Sequence, residues 1–97
     1  MALVISWTDE SDLRYANIVT YLEINWTDTE TYSLESRLVK ALALISENPY
    51  VYAISVLNTR IRKANIDVNN FLLYRVDEDK EDIKILTFCS TRQQPLH

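Results

Sequence analysis

The chain has 97 residues, 47% hydrophobic and 25% charged, with a net charge of −4 and a pI of about 4.8. That make-up fits one folded domain with one core and excludes a disordered chain. It contains no glycine, which excludes the phosphate-cradling loop, the dinucleotide fingerprint and the serine nucleophile elbow, since each needs backbone room or positive φ.

In chain order, residues 2–7 (Ala-Leu-Val-Ile-Ser-Trp) are a short apolar run that reads as a strand. Thr8 can cap a helix beginning just after it, and Asp9 and Glu10 suit the positive end of that helix. Tyr15, Ile18, Val19 and Leu22 recur at helical spacing through about Ile24, and Trp26 closes that helix against its neighbour. Thr27-Asp28-Thr29-Glu30 has the form of a capping box and opens a second helix. Leu34, Leu38, Ala41, Leu42 and Ile45 share one face of it, and Asn48-Pro49 stops it. The short link predicts a hairpin of two antiparallel helices.

Tyr50 to Asn58 reads as a connecting segment with some apolar anchoring. Three strand-like runs come next, at about 59–67, 71–76 and 83–89. Asn69-Asn70 and the acidic run Asp77–Asp82 separate them, both as hairpin turns. Without glycine, tight turns must rest on Asn and Asp, at Asn48-Pro49, Asn58, Asn69-Asn70 and Asp77–Asp79. The expected fold is α+β, in the order β-α-α-β-β-β, with a helical hairpin packed on one face of an antiparallel sheet. All 97 residues form one domain.

Charge is uneven. Residues 1–48 hold three cations and eight acids; residues 49–97 hold seven cations and six acids. Arg60, Arg62, Lys63 and Arg75 face only Asp67 within their stretch, which predicts a local basic face suited to an anionic partner. Strand alternation puts Arg60 and Arg62 on one face and turns Lys63 away unless a bulge intervenes. Against recognition stands edge protection, a common use of charge on strands. Arg75, within an apolar strand, is either an anion ligand or half of an ion pair with Asp67 or Asp77.

Tyr50, Tyr52 and Tyr74 could stack on bases, but such residues more often seal a helix–sheet junction. Trp7 and Trp26 read as packing residues. Cys89 reads as a small core residue rather than a nucleophile, because no internal His partners it. One Cys and the terminal His97 cannot form a structural zinc site or a disulfide framework, so the expected compartment is a reducing cytoplasm. No apolar run nears the roughly 18–20 residues of a membrane span, and residues 1–7 lack the pattern of a signal peptide.

The element order, the Asn48-Pro49-Tyr50-x-Tyr52 exit from the second helix, Arg60-x-Arg62-Lys63-Ala64, Tyr74-Arg75-Val76-Asp77 and Phe88-x-x-x-Arg92-Gln93-x-Pro95 together resemble the RelE/ParE superfamily. These are toxins of bacterial type II toxin–antitoxin modules of the plasmid-stabilisation type. The resemblance implies a growth-inhibiting toxin neutralised by a cognate antitoxin, with no membrane and no small-molecule cofactor. It implies one of two targets: DNA gyrase for ParE-like members, or messenger RNA in the ribosome for RelE-like endonucleases. Arg62 and Arg75 match the family's basic strand positions, and Arg92 matches the basic residue of its terminal segment. The family's acid/base has no counterpart among Cys89-Ser90-Thr91-Arg92. With the low pI, that departure favours the ParE-like expectation. RelE-like cleavage, or a degenerate member that keeps only antitoxin binding, stands as the alternative. The candidate binding residues are therefore Arg60, Arg62, Lys63, Arg75 and Arg92, with no catalytic residue and no metal ligand assigned.

Overall fold

The computed structural model describes residues 3–56 and 58–91. Its elements are β1 (Val4–Trp7), α1 (Asp9–Asn25), α2 (Asp28–Glu47), β2 (Ile54–Ser55), β3 (Asn58–Asn65), β4 (Asn70–Asp77) and β5 (Asp82–Ser90). The two helices cover one face of a five-stranded sheet in the order β1-β5-β4-β3-β2. The three long strands pair antiparallel in sequence, as their hairpin turns predict. β1 adds parallel to β5, so the sheet is mixed rather than wholly antiparallel. β2 lies inside the stretch expected to be only a connector.

The helix signals work through identifiable bonds. Thr8 is the N-cap of α1: its hydroxyl accepts from the Ser11 N–H at 3.1 Å. The same hydroxyl donates to the Leu86 carbonyl at 3.1 Å, and the Thr8 N–H reaches the Ile85 carbonyl. One residue thus starts the helix and ties it to β5. Thr27 is the N-cap of α2 but makes no side-chain cap bond; Asp28 and Glu30 supply negative charge to the first turn. Asn48 ends α2 with its N–H on the Leu44 carbonyl, 2.8 Å. Ser46 then pins the chain before β1, donating to the Leu3 carbonyl at 2.8 Å.

The core lies between helices and sheet. Ile18 and Leu22 of α1, and Leu34, Leu38, Ala41 and Ile45 of α2, meet Leu72, Tyr74, Ile83, Ile85 and Phe88. Each Leu, Ile or Phe among them contributes about 1.5–3 kcal/mol by leaving water. On β5 the buried positions step from 83 to 85 and then to 88, which plain alternation cannot give. The pairing jumps from Leu73↔Thr87 to Tyr74↔Ile85, leaving Leu86 as an extra residue. This bulge re-aims the strand so that Phe88 faces the core. There Trp7, Tyr15 and Phe88 form a ring cluster with centroids 5.1–6.5 Å apart. Trp26, expected to pack likewise, is 46% exposed at the end of α1.

Two further expectations change. The left-handed backbone position among the described residues is Glu81, φ 52°, and not an Asn or Asp. The β3–β4 turn is held instead by the Asp67 carboxylate, which accepts from the Asn69 and Asn70 N–H groups and the Asn70 side chain. Cys89 sits opposite Phe71 on the sheet face away from the helices and is half-buried, not in the core.

Candidate functional site: an arginine-walled groove

β3 and β4 pair only over Arg62–Asn65 and Phe71–Tyr74. Beyond Tyr74, β4 continues with β5 toward the acidic tip, while the first half of β3 turns to β2. The strands part, and an open groove of about 510 Å³ occupies the gap. Tyr50, Thr59, Arg60 and Arg62 line one wall, and residues 75–79 line the other.

The groove brings together three of the five predicted residues: Arg60, Arg62 and Arg75. Arg60 is exposed, with its backbone N–H held by the Asn58 side chain at 2.8 Å. Arg75 is exposed and forms no ion pair among the described residues, where the ion pair is Arg14–Glu10 on α1. The expected partners for it, Asp67 and Asp77, are not used, because Asp67 is committed to the turn at the far end of β4. Arg62 is different. It is half-buried, and Nη1 donates to the Tyr52 carbonyl at 2.6 Å and the Tyr50 carbonyl at 3.4 Å. Its guanidinium also lies 5.0 Å from the Tyr50 ring centroid. Arg62 therefore holds the turn after α2 as well as facing the groove.

Lys63 is not in the groove. Its ammonium sits 4.4 Å from the Phe71 ring centroid. Arg92 lies outside the described residues, as do Gln93, Pro95 and His97. The three tyrosines separate. Tyr74 is fully buried, and its hydroxyl donates to the Pro49 carbonyl at 2.7 Å. Tyr52 is half-buried against the core. Tyr50 stands on the groove wall, 47% exposed, and its hydroxyl donates to Glu78 at 2.5 Å.

Tyr50 and Glu78 are the site residues that sequence reasoning missed. Tyr50 read as a junction residue and Glu78 as part of a solvated turn. The one available signal for Tyr50 was its place just after a Pro stop, where a chain re-enters the sheet. Nothing local marks Glu78, because its bond spans 28 positions.

These groups set the chemistry. The Glu78 hydrogen bond raises the Tyr50 pKa above its usual 10; burial and the Glu78 charge add to this, and Arg62 opposes it. Tyr50 therefore stays protonated at neutral pH, a hydrogen-bond donor rather than a base. Three guanidiniums offer permanent charge and forked donors for a carboxylate or phosphate, but no transferable proton. Asp77, Glu78 and Asp79 match the three arginines in number, so the lining is formally balanced and the guanidiniums act as local, directional donors. Among the described residues no cluster of His, Cys, Asp or Glu could hold a metal ion, and no helix is long and apolar enough to cross a membrane.

No family model matches the chain, and no curated protein matches it. Solved structures do. A helical hairpin packed on this sheet is also the fold of solved ParE and RelE toxin structures. The chain is similar to the chromosomal ParDE toxin–antitoxin system from P. aeruginosa, with a TM-score of 0.74 and 11% identity over 92% of this chain and 96% of that one. It is similar to a mutant of the E. coli toxin RelE in the free state, with a TM-score of 0.64 and 14% identity over 93% and 84%. It is also similar to the YoeB dimer from Staphylococcus aureus, with a TM-score of 0.61 and 20% identity over 93% and 97%. At these identities the likeness establishes a shared fold.

Proposed function

We propose that the chain is the toxin of a type II toxin–antitoxin pair, that it acts on DNA gyrase, and that a cognate antitoxin neutralises it. The observation that carries this reading is the groove, lined by Arg60, Arg62 and Arg75 together with Tyr50, whose hydroxyl donates to Glu78. Such a site can grip an anionic surface: its guanidiniums supply charge and forked donors, and the Tyr50 hydroxyl is a further donor. The low pI points the same way, because docking on ribosomal RNA favours strongly basic proteins. The likeness to a ParDE system, to RelE and to YoeB supports the toxin part of this reading. The protein is expected to act in the cytoplasm, where gyrase and its antitoxin meet it.

The second reading is RelE-like, ribosome-dependent mRNA cleavage. The same three guanidiniums favour it, since they could hold a scissile phosphodiester.

Two assays on the purified chain separate the readings, one with gyrase and one with ribosomes programmed with mRNA. The proposal expects the chain to abolish DNA supercoiling by gyrase or trap cleaved DNA, and to leave the message intact. Cleaved message with unimpaired gyrase would replace the proposal with the second reading. Neither activity, with antitoxin binding retained, would leave a degenerate member.

A further inference from the structure

The hydrogen bond from the Tyr50 hydroxyl to Glu78 crosses the groove from one wall to the other, at 2.5 Å. Its Tyr50 end is fixed. The Arg62 guanidinium donates to the Tyr50 carbonyl and lies 5.0 Å from the ring centroid. Its Glu78 end is loose. β4 and β5 pair as far as Asp77↔Asp82, so Glu78 is the first residue outside the ladder. Two carboxylates oppose each other at that last rung, which weakens it. Residues 78–81 are all exposed. The turn is held by long bonds of 3.3 Å, from the Glu81 N–H to the Glu78 carbonyl and from the Lys80 N–H to the Asp77 carboxylate. Glu81 takes its left-handed angle within the same turn.

A tyrosine hydroxyl has one hydrogen to donate. While Glu78 accepts it, an arriving oxyanion cannot. The same carboxylate also sets a negative charge near Arg62, since the two charges act on the Tyr50 hydroxyl in opposite senses. Arg60 and Arg75 are exposed and form no ion pair among the described residues, so their charge stays open to a ligand. Glu78 thus holds the donor that a ligand would use, beside guanidiniums that a ligand would meet.

We propose that Glu78 is a built-in occupant of the groove, a clasp that an incoming oxyanion must displace from Tyr50. The hydroxyl then passes to the ligand, and the arginines take the rest of its charge. Displacement needs only side-chain rotation and a loosened turn; no rung of the sheet breaks. The clasp makes the groove selective. A single weak anion does not outcompete a carboxylate tethered beside the donor, whereas a ligand bearing several oxyanions does. This rests on the groove being an anion site and is independent of which target carries the oxyanion.

The test is a double-mutant cycle on the purified chain, with Tyr50→Phe, Glu78→Ala and the two together, at about 0.15 M salt. The probes are inorganic pyrophosphate and citrate, because phosphates and carboxylates share this chemistry; the tighter of the two names the oxyanion. Both positions are exposed, and Phe keeps the ring beside Arg62, so the variants fold. Glu78→Ala is expected to tighten binding about tenfold. Tyr50→Phe should change the affinity of the native chain by less than about twofold, because there one hydroxyl bond is exchanged for another. Once Glu78 is gone, the same change should weaken binding about fivefold or more. The Tyr50 pKa, followed by ring resonances, should fall in Glu78→Ala. Additive effects, or a Tyr50 pKa that does not move, would overturn the clasp and leave the groove an anion site. No binding to the native chain and Glu78→Ala alike, or resonance shifts away from Arg60, Arg62 and Arg75, would remove the anion site and the clasp with it.

Discussion

Within the same two strands, β3 and β4, the stretch that pairs and the stretch that parts carry opposite chemistry. Where they pair, Ala64, Leu72 and Tyr74 are fully buried under the helices. Where they part, Arg60 and Arg75 stand exposed across an open groove. Arg62 sits at the branch point, bonded to two carbonyls of the turn after α2. The first stretch should govern stability, the second should govern binding, and Arg62 should affect both.

Substitutions can break that division. The largest effect is expected at Leu72→Ala, which opens a cavity in the core beneath the helices. It should cost about 2–5 kcal/mol in chemical denaturation, while Arg75→Ala should change stability by less than about 0.5 kcal/mol. Equal costs would erase the comparison. Arg62→Ala falls between them. It leaves the Tyr52 carbonyl without its guanidinium donor and should cost about 1–2 kcal/mol, together with a loss of target binding. Binding lost at full stability would reduce Arg62 to a groove residue alone.

Tyr74→Phe removes the hydroxyl bond to Pro49 and should cost about 1 kcal/mol. It also bears on pH dependence. Burial raises the Tyr15 and Tyr74 pKa values above 10, and both groups are protonated in the fold. A raised pKa means the unfolded chain loses the proton first as pH rises. The contribution of these two groups should therefore be level below pH 10 and be lost above it, so that stability falls less steeply there in Tyr74→Phe. A steeper fall in that variant would contradict the assignment. The smallest effect is expected at the tip. Glu81 holds a left-handed backbone angle that Asn adopts more readily, so Glu81→Asn should gain about 0.5 kcal/mol.

Much of the paired region was legible because its signals are local. Thr8 and Asn48 cap the helices where their residue types say they should. The face of Leu34, Leu38, Ala41 and Ile45 comes from helical spacing alone. The Asn69-Asn70 and acidic turns mark the long hairpins. The features that escaped depend on contacts distant in sequence. β1 joins β5 across more than 70 residues, so its parallel sense has no local mark. β2 is two residues long and defined only by its partner. The Leu86 bulge shows in the spacing of Ile83, Ile85 and Phe88 once those positions are known to be buried.

The groove was half legible. The density of Arg60, Arg62 and Arg75 marked it as basic, and alternation foresaw that Lys63 turns away. Its acidic wall and Tyr50 were not foreseen, since Glu78 meets Tyr50 only because β3 and β4 part. The same parting lets Arg75 join Arg60 and Arg62 across the gap.

The most direct measurement is induced expression, in a bacterial host, of the native chain beside Arg75→Ala, with growth, DNA integrity and transcripts followed together. The account predicts arrest with broken DNA and intact transcripts for the native chain. It predicts normal growth for Arg75→Ala at equal protein level and unchanged stability. Undiminished arrest in Arg75→Ala would contradict the claim that the arginine groove is where this protein acts.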